Sequence, residues 1–176
     1  LYIAIHTLYE LRRRLTDAEF ADVRLHIVGD GNQTKYRLLA QKLGIQDNIN
    51  WYGKMSHDDV QSMMRTHSLL LFTSIAEGTP HVVLEAIANR LPVVCHDCCG
   101  HGDSIDATVG VKIPLVSPEK SVSDFSNVIA DLYRNHERLE EMKRNCPMKA
   151  VELSWNTKAD RILSLYEKAI RENIHS

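Results

Sequence analysis

Short apolar runs alternate with amphipathic helical stretches along this chain, and that alternation limits the fold more than any single residue does. Segments 23–28, 49–52, 68–72, 92–95 and 111–113 are each short and apolar enough to be buried strands. Between them apolar residues recur at helical spacing: Ile5, Leu8, Leu11 and Leu15, then Tyr36, Leu39 and Leu43, then Val60, Met63 and Met64. The pattern predicts an α/β protein, a three-layer Rossmann-like doubly wound parallel sheet with helices on both faces. Helices are expected over about 1–15, 33–43, from a Ser56 cap, up to about 89, from a Ser121 cap, from about 136 to an interruption at Pro147, and over about 156–172. Ligands of such sheets bind beyond the carboxyl ends of the strands.

The loop and helix after the third run hold the most chemistry. Residues 69–72 read Leu-Leu-Leu-Phe, and Ser74 to Glu85 follows as a glycine-containing loop leading into a helix. Thr79 is a cap candidate and Pro80 suits the first helical position, which needs no amide hydrogen. Free amides at a helix start, backed by the helix dipole, form an anion site. Glu77 stands before that site and Glu85 inside the helix. The helix is apolar almost all round, so a charged Glu85 is costly unless a partner satisfies it. An anion site between two carboxylates suits a ligand with a phosphate centre and hydroxyl-rich ends, and a sugar nucleotide is one.

Composition removes several other classes. The 176 residues suit one domain, and a net charge of -2 with pI near 6.5 gives no bulk attraction to nucleic acid. The sequence contains no apolar run of membrane-spanning length and no signal peptide. Four cysteines in this length are not a disulfide framework, which points to a reducing compartment. Leu1 in place of methionine suggests a piece of a longer protein.

Two further loops follow strand ends. Gly29-Asp30-Gly31 allows close backbone approach to a ligand. The dinucleotide fingerprint is incomplete there, because Thr34 occupies the third glycine's place. Ile49-Asn50-Trp51 offers no acidic residue for a ribose, so a nicotinamide dehydrogenase is disfavoured. His96 to Asp103 is the second polar loop. Cys95, Cys98, Cys99 and His101 have zinc-like spacing, but Cys95 ends a buried strand and no second ligand pair follows. No metal is expected.

In order along the chain, Ile27-Val28-Gly29-Asp30-Gly31, Trp51-Tyr52-Gly53, Ser74-x-x-Glu77-Gly78-x-Pro80 with Glu85-Ala86, Leu91-Pro92-Val93-Val94 with Asp97 and Gly100, and Ser154-Trp155 resemble a known pattern. It is that of the C-terminal, donor-binding domain of the family 4 (group 1) retaining glycosyltransferases of GT-B fold. The two glutamates seven residues apart are its most specific part. The resemblance implies that Glu77 accepts from hydroxyls of the donor sugar, with the backbone of Gly78 and Thr79 meeting sugar or phosphate. It implies that Glu85 takes both ribose hydroxyls, an ionised carboxylate being acceptor-only. Gly29, Gly31 and the backbone of Tyr52, Gly53, Lys54 and Met55 belong to the nucleotide side. Ser74, His81 and Asp97 are further candidates.

The implied reaction is retaining transfer of a hexosyl group from a nucleoside-diphosphate sugar to a glycan or lipid acceptor, with no cofactor or obligatory metal. The expected place of work is the cytoplasm or the inner face of the membrane. The family's diphosphate-neutralising arginine and lysine, the strand that precedes them and the acceptor-binding domain have no counterpart in these 176 residues. Transferase activity is therefore not expected of this chain alone. Two rival readings share the fold: a nucleotide-sugar epimerase half, and a non-catalytic nucleotide-binding or interaction module. Retention of both glutamates disfavours the second. Cys98-Cys99 and His101-Gly102-Asp103 depart from the small residues and glutamate usual in that loop.

Overall fold

The computed structural model describes residues 1–78 and 80–174. Helix α1 (Tyr2–Arg12) and a short α2 (Asp17–Ala21) precede strand β1 (Leu25–Val28). Next come α3 (Thr34–Lys42), β2 (Ile49–Gly53), α4 (His57–Thr66), β3 (Leu70–Phe72) and α5 (His81–Ala88). Strand β4 (Val93–His96), α6 (Cys99–Ser104) and β5 (Gly110–Ile113) complete the alternation. Helices α7 (Pro118–Arg134), α8 (His136–Glu152) and α9 (Trp155–Ile174) close the chain.

Capping chemistry sets several boundaries that periodicity misplaces. The helix expected over 1–15 ends at Arg12, and Thr16 opens a further one that periodicity did not indicate. Its hydroxyl accepts from the Glu19 amide at 3.2 Å while the Glu19 carboxylate accepts from the Thr16 amide at 2.7 Å. Helix α7 starts earlier than expected, with Ser117 accepting from the Lys120 amide and Pro118 in the first turn. Ser121 is therefore not a cap. It is buried, with its hydroxyl 2.9 Å from His96 Nε2. Helix α8 runs through Pro147 to Glu152 despite the lost backbone bond. Buried Leu139, Met142 and Cys146 hold it against the core.

All strand pairings are parallel: β1 with β2, and β3, β4 and β5 in that order. Registers include Leu25 beside Ile49, Leu71 beside Val94 and Cys95 beside Lys112. Every residue of β4 is buried, as expected for a strand flanked on both edges and covered on both faces. On one face Leu25, Ile27 and Trp51 pack with Ile5 and Leu8 of α1 and with Leu39 and Ala40 of α3. The same layer continues as Phe125 and Leu132 of α7 against Val94 and Leu71. On the opposite face Val83, Ala86 and Ile87 of α5 and Met64 of α4 pack with Leu70, Phe72 and Val93. A fully buried Phe125 contributes on the order of 1.5–3 kcal/mol through burial alone. The layers are those of the expected doubly wound fold.

The last helix departs from expectation. The apolar stripe of α9 is unpacked: Trp155, Ile162, Leu163, Tyr166 and Ile170 are 53% to 78% exposed. Among the described residues no helix is long and apolar enough to cross a membrane.

Candidate functional site

Four loops leave the carboxyl ends of β1 to β4, and hydrogen bonds tie them in pairs. Gly29, at φ +128°, donates its amide to the Gly53 carbonyl at 2.7 Å. Gly53 is itself at φ +65°, so two positions that favour glycine close the turns after β1 and β2. Gln33 Nε2 donates to the Gly29 carbonyl at 2.7 Å and its side-chain oxygen accepts from Arg37 at 3.0 Å. Gly31 and Lys54 are exposed, and Met55 is half-buried. Tyr52 is exposed, its hydroxyl 3.0 Å from His26 Nδ1 and its ring stacked on that imidazole.

The loops after β3 and β4 form the second pair. Gly100 donates its amide to the Gly78 carbonyl at 3.0 Å, and Cys99 Sγ donates to the Ile75 carbonyl at 3.4 Å. Ser74 Oγ donates to Glu77 Oε1 at 3.0 Å, which steadies an otherwise exposed carboxylate. Asp97 pairs with Lys112 Nζ at 2.9 Å, and the same ammonium donates to the Gly102 carbonyl at 2.9 Å. Asp97 thus braces the loop after β4 through Lys112 of the neighbouring strand β5. A Cβ on Gly102 would stand 3.2 Å from Asp97 Oδ1, so the brace needs that glycine's small size.

Helix α5 begins one residue later than the sequence suggests. Pro80 holds the cap position at φ -70°, ψ 122°, and His81 is the first helical residue. Thr79, assigned above to cap and to donor contact, lies outside the described residues. The first amides of an α-helix have no acceptor in a preceding turn; in α5 the Val83 amide is taken by the Pro80 carbonyl at 3.1 Å, which leaves those of His81 and Val82 as the anion-site candidates. Glu85 follows His81 by four residues, so the two share a helix face and side chains there lean toward the N-terminus. His81 is exposed.

Glu85 is less buried than the apolar sequence implies. Val83, Ala86 and Ile87 face the core, while the Glu85 side chain keeps 34% of its exposure. The desolvation expected of a helix buried all round is not imposed on this carboxylate. His57, first residue of α4 and next after the β2 loop, places Nδ1 4.0 Å from Glu85 Oε1. That approach, longer than a hydrogen bond, brings the start of α4 beside the α5 carboxylate.

Sequence reasoning missed two contributors, His57 and Lys112, and read His101 only for metal spacing and as a departure from the family pattern. Lys112 is visible only through strand register, since it stands beside Cys95 in the ladder. His101 of α6 is fully buried, edge-on to Phe72, with Nε2 3.7 Å from Cys98 Sγ and Nδ1 without a partner. Burial lowers its pKa, and the nearby Glu77 carboxylate pulls it back up. Burial pushes the Cys95 thiol up to about 12 and also raises Cys98, so neither is a ready thiolate ligand. Among the described residues no group of three or more His, Cys, Asp or Glu side chains is placed to hold a metal ion.

Residues 3–148 match the family described as glycosyl transferases group 1. Alpha-D-kanosaminyltransferase of Streptomyces kanamyceticus is 29% identical over 163 residues, covering 90% of this chain and 40% of that protein. The crystal structure of WaaG, a glycosyltransferase involved in lipopolysaccharide biosynthesis, superposes with a TM-score of 0.73 at 27% identity. That match covers 84% of this chain and 38% of WaaG. The pneumococcal O-GlcNAc transferase GtfA in complex with UDP and GlcNAc shares the fold at a TM-score of 0.75 and 20% identity, covering 99% of this chain and 33% of GtfA. The chain spans two fifths or less of the length of these proteins. Every strand and all four loops lie inside the matched region, and the chain belongs to the group 1 glycosyltransferases, with the α/β fold of the C-terminal half of a GT-B enzyme.

Proposed function

We propose that this domain binds the nucleoside-diphosphate sugar donor of a retaining hexosyltransferase, within a longer polypeptide whose other domain holds a glycan or lipid acceptor. The observation that carries this reading is the α5 assembly. The N-terminus of α5, where the amides of a first helical turn lack acceptors in a preceding turn, has Glu77 before it and a one-third-exposed Glu85 one turn inside, with His57 Nδ1 4.0 Å from Glu85 Oε1. A diphosphate fits the amides, where the dipole favours negative charge. Glu85 offers two acceptor oxygens to the vicinal ribose hydroxyls, and the Gly29, Gly31 and Tyr52–Met55 backbone lies on the base side. Glu77, oriented by Ser74, accepts from the sugar, with Gly78, Thr79 and His81 near the sugar–phosphate junction.

Transfer itself needs more than these residues supply. The leaving diphosphate must be neutralised as the glycosidic bond breaks. Neither Lys112 nor Arg37 serves, because each is engaged in a loop brace. We assign that neutralisation to basic side chains in the rest of the polypeptide, and no metal to the reaction.

The test is a transfer assay with the longer protein and a panel of UDP-, GDP- and ADP-hexoses, read by NMR at the anomeric centre. One donor should be consumed with the product's anomeric configuration retained, and chelators should leave the rate unchanged. Inverted product, or turnover that needs a divalent ion, contradicts the corresponding part.

A further inference from the structure

Two adjacent thiols stand at the start of α6 and take no part in the donor site proposed above. Cys98, half-buried, is the cap residue of α6, and Cys99, exposed, is its first helical residue. Both are free. The Cys99 thiol lies close enough to act on the protonation of Cys98, so the two are neighbours in space as well as in sequence. Their surroundings differ. Cys99 donates to the Ile75 carbonyl at 3.4 Å, across the tie between two loops, and its backbone is left-handed at φ +55°. Cys98 Sγ lies 3.7 Å from Nε2 of His101, a fully buried imidazole whose Nδ1 has no partner. The other two cysteines, Cys95 and Cys146, are fully buried in the cluster that packs on α5. An oxidant in solution therefore meets Cys99 first, and the thiol beside it is Cys98.

We propose that Cys98 and Cys99 form a reversible oxidation site, at which hydrogen peroxide converts the two thiols to a disulfide and loosens the loop that fastens the Glu77 segment. The reaction takes two steps. The Cys99 sulfur attacks one peroxide oxygen; an S–O bond forms, the O–O bond breaks, and the second oxygen leaves as water with the thiol proton. The Cys98 sulfur then attacks the Cys99 sulfenic sulfur; the S–S bond forms, the S–O bond breaks, and the hydroxyl leaves as a second water. Two thiols are oxidised by two electrons, and one peroxide is reduced to two waters. Attack by Cys98 needs its thiolate, and His101 Nε2 is placed to take that proton and pass it to the departing hydroxide. Burial keeps this imidazole neutral and so a proton acceptor, while the nearby Glu77 charge favours the imidazolium formed in passing.

Backbone geometry makes the product labile. Adjacent Cα atoms stand about 3.8 Å apart across a trans peptide, below the roughly 4.4 Å at which ordinary disulfides begin. A strained, exposed disulfide is readily reduced, so a small thiol reverses it. Forming it removes the hydrogen that Cys99 donates to Ile75 and turns the Cys98–Cys99 peptide. The next residue is Gly100, whose amide holds the Gly78 carbonyl at 3.0 Å. Both ties between the loops after β3 and β4 thus depend on the reduced state. The inference rests on these thiols and ties, and stands whatever ligand the loops bind.

Intact-mass measurement of the 176-residue chain before and after hydrogen peroxide tests the reaction, with hydrogen exchange at the Gly100 amide as the structural readout. Peroxide should remove the mass of two hydrogens, and dithiothreitol should restore it. Cys98→Ser should stop at a sulfenic acid on Cys99, which dimedone traps, and Cys99→Ser should lose no hydrogens. In the unsubstituted chain Gly100 exchange should quicken at least about fivefold on oxidation and recover on reduction, while unchanged β4 exchange shows that the rest remains folded. Four results overturn the proposal. Peroxide removes no hydrogens from the unsubstituted chain; or the loss persists in Cys99→Ser, which assigns the bond to Cys95 and Cys98. A disulfide-linked dimer forms in place of the internal bond; or the bond forms and Gly100 exchange does not change.

Discussion

The Gly100 amide donates to the Gly78 carbonyl at 3.0 Å, which fastens the loop after β4 to the loop after β3. Cys99 Sγ makes a second tie, to the Ile75 carbonyl. Within α6 the Ser104 hydroxyl donates to the Gly100 carbonyl at 2.8 Å, so that helix holds the tied residues in place. The carboxylate of Glu77 sits between these ties, oriented by Ser74. The position of the Glu77 carboxylate, given to the sugar in the proposed function, is therefore set by a neighbouring strand–loop–helix unit as well as by Glu77's own loop.

Removing the brace under that unit should act on the sugar and spare the nucleotide. Lys112→Met frees Asp97 and the Gly102 carbonyl, yet Lys112 and Asp97 are 33% and 57% exposed, so the stability loss should stay below about 1 kcal/mol. Parallel titrations with a nucleoside diphosphate and its sugar conjugate read the outcome. The conjugate should weaken severalfold while the diphosphate holds; equal weakening of both contradicts the role given to the brace.

Cys99 occupies a left-handed conformation, φ +55°, in which side chains other than glycine's are disfavoured by about 1–2 kcal/mol. Cys99→Gly relieves that strain, but it loses one weak thiol hydrogen bond and adds conformational entropy to the unfolded chain, which opposes folding. The net expectation is a gain of roughly 0.5 kcal/mol, seen as a raised urea midpoint at unchanged slope. A lowered midpoint means that the tie to Ile75 outweighs the backbone strain.

Acid should weaken the fold through carboxylates held below their ordinary range. Burial alone would raise Asp106, but hydrogen bonds from Lys149 and Thr108 prevail and hold it at about 2. A depressed carboxylate stabilises the fold above its unfolded value, near 3.9, and that stability is lost as pH falls toward 2. Asp106→Asn should flatten the stability curve between about pH 4 and 2, by no more than about 1 kcal/mol because the side chain is half exposed. Glu19, held at about 2 by hydrogen bonds from Arg134 and the Thr16 backbone, keeps part of the slope in place. An unchanged acid limb in the variant removes Asp106 from this account.

The fold was legible because short strands and helices announce themselves by period, and five runs of three to six residues each fell within a residue or two of an observed strand. Boundaries set by side-chain capping were less visible. Thr16 and Ser117 each open a helix that apolar spacing alone extends or delays. Ser121 has the look of a cap but is the hydroxyl partner of buried His96, a contact across 25 positions that local sequence does not encode. The strand-end loops themselves could be placed directly, since glycines and polar residues interrupt the apolar periods there. Lys112 and His57 could not, because their roles depend on strand register and on the approach of α4 to α5. The cost assigned to Glu85 was overstated for a related reason: composition shows an apolar helix but not which stripe of it meets the core.

The central claim is that Glu85 and the start of α5 hold a nucleotide, and NMR titration of the 176-residue chain with UDP, GDP and ADP tests it most directly. Amide shifts should move at Gly29, Gly53 and His81 to Glu85 for at least one nucleotide at concentrations up to about 10 mM, the weak range expected of half a site. Glu85→Ala should weaken that binding about tenfold or more, the loss expected for charge-assisted hydrogen bonds to the ribose, with little change in melting temperature because Glu85 is one-third exposed. Shifts confined to other surfaces, or binding that Glu85→Ala leaves intact, contradict it.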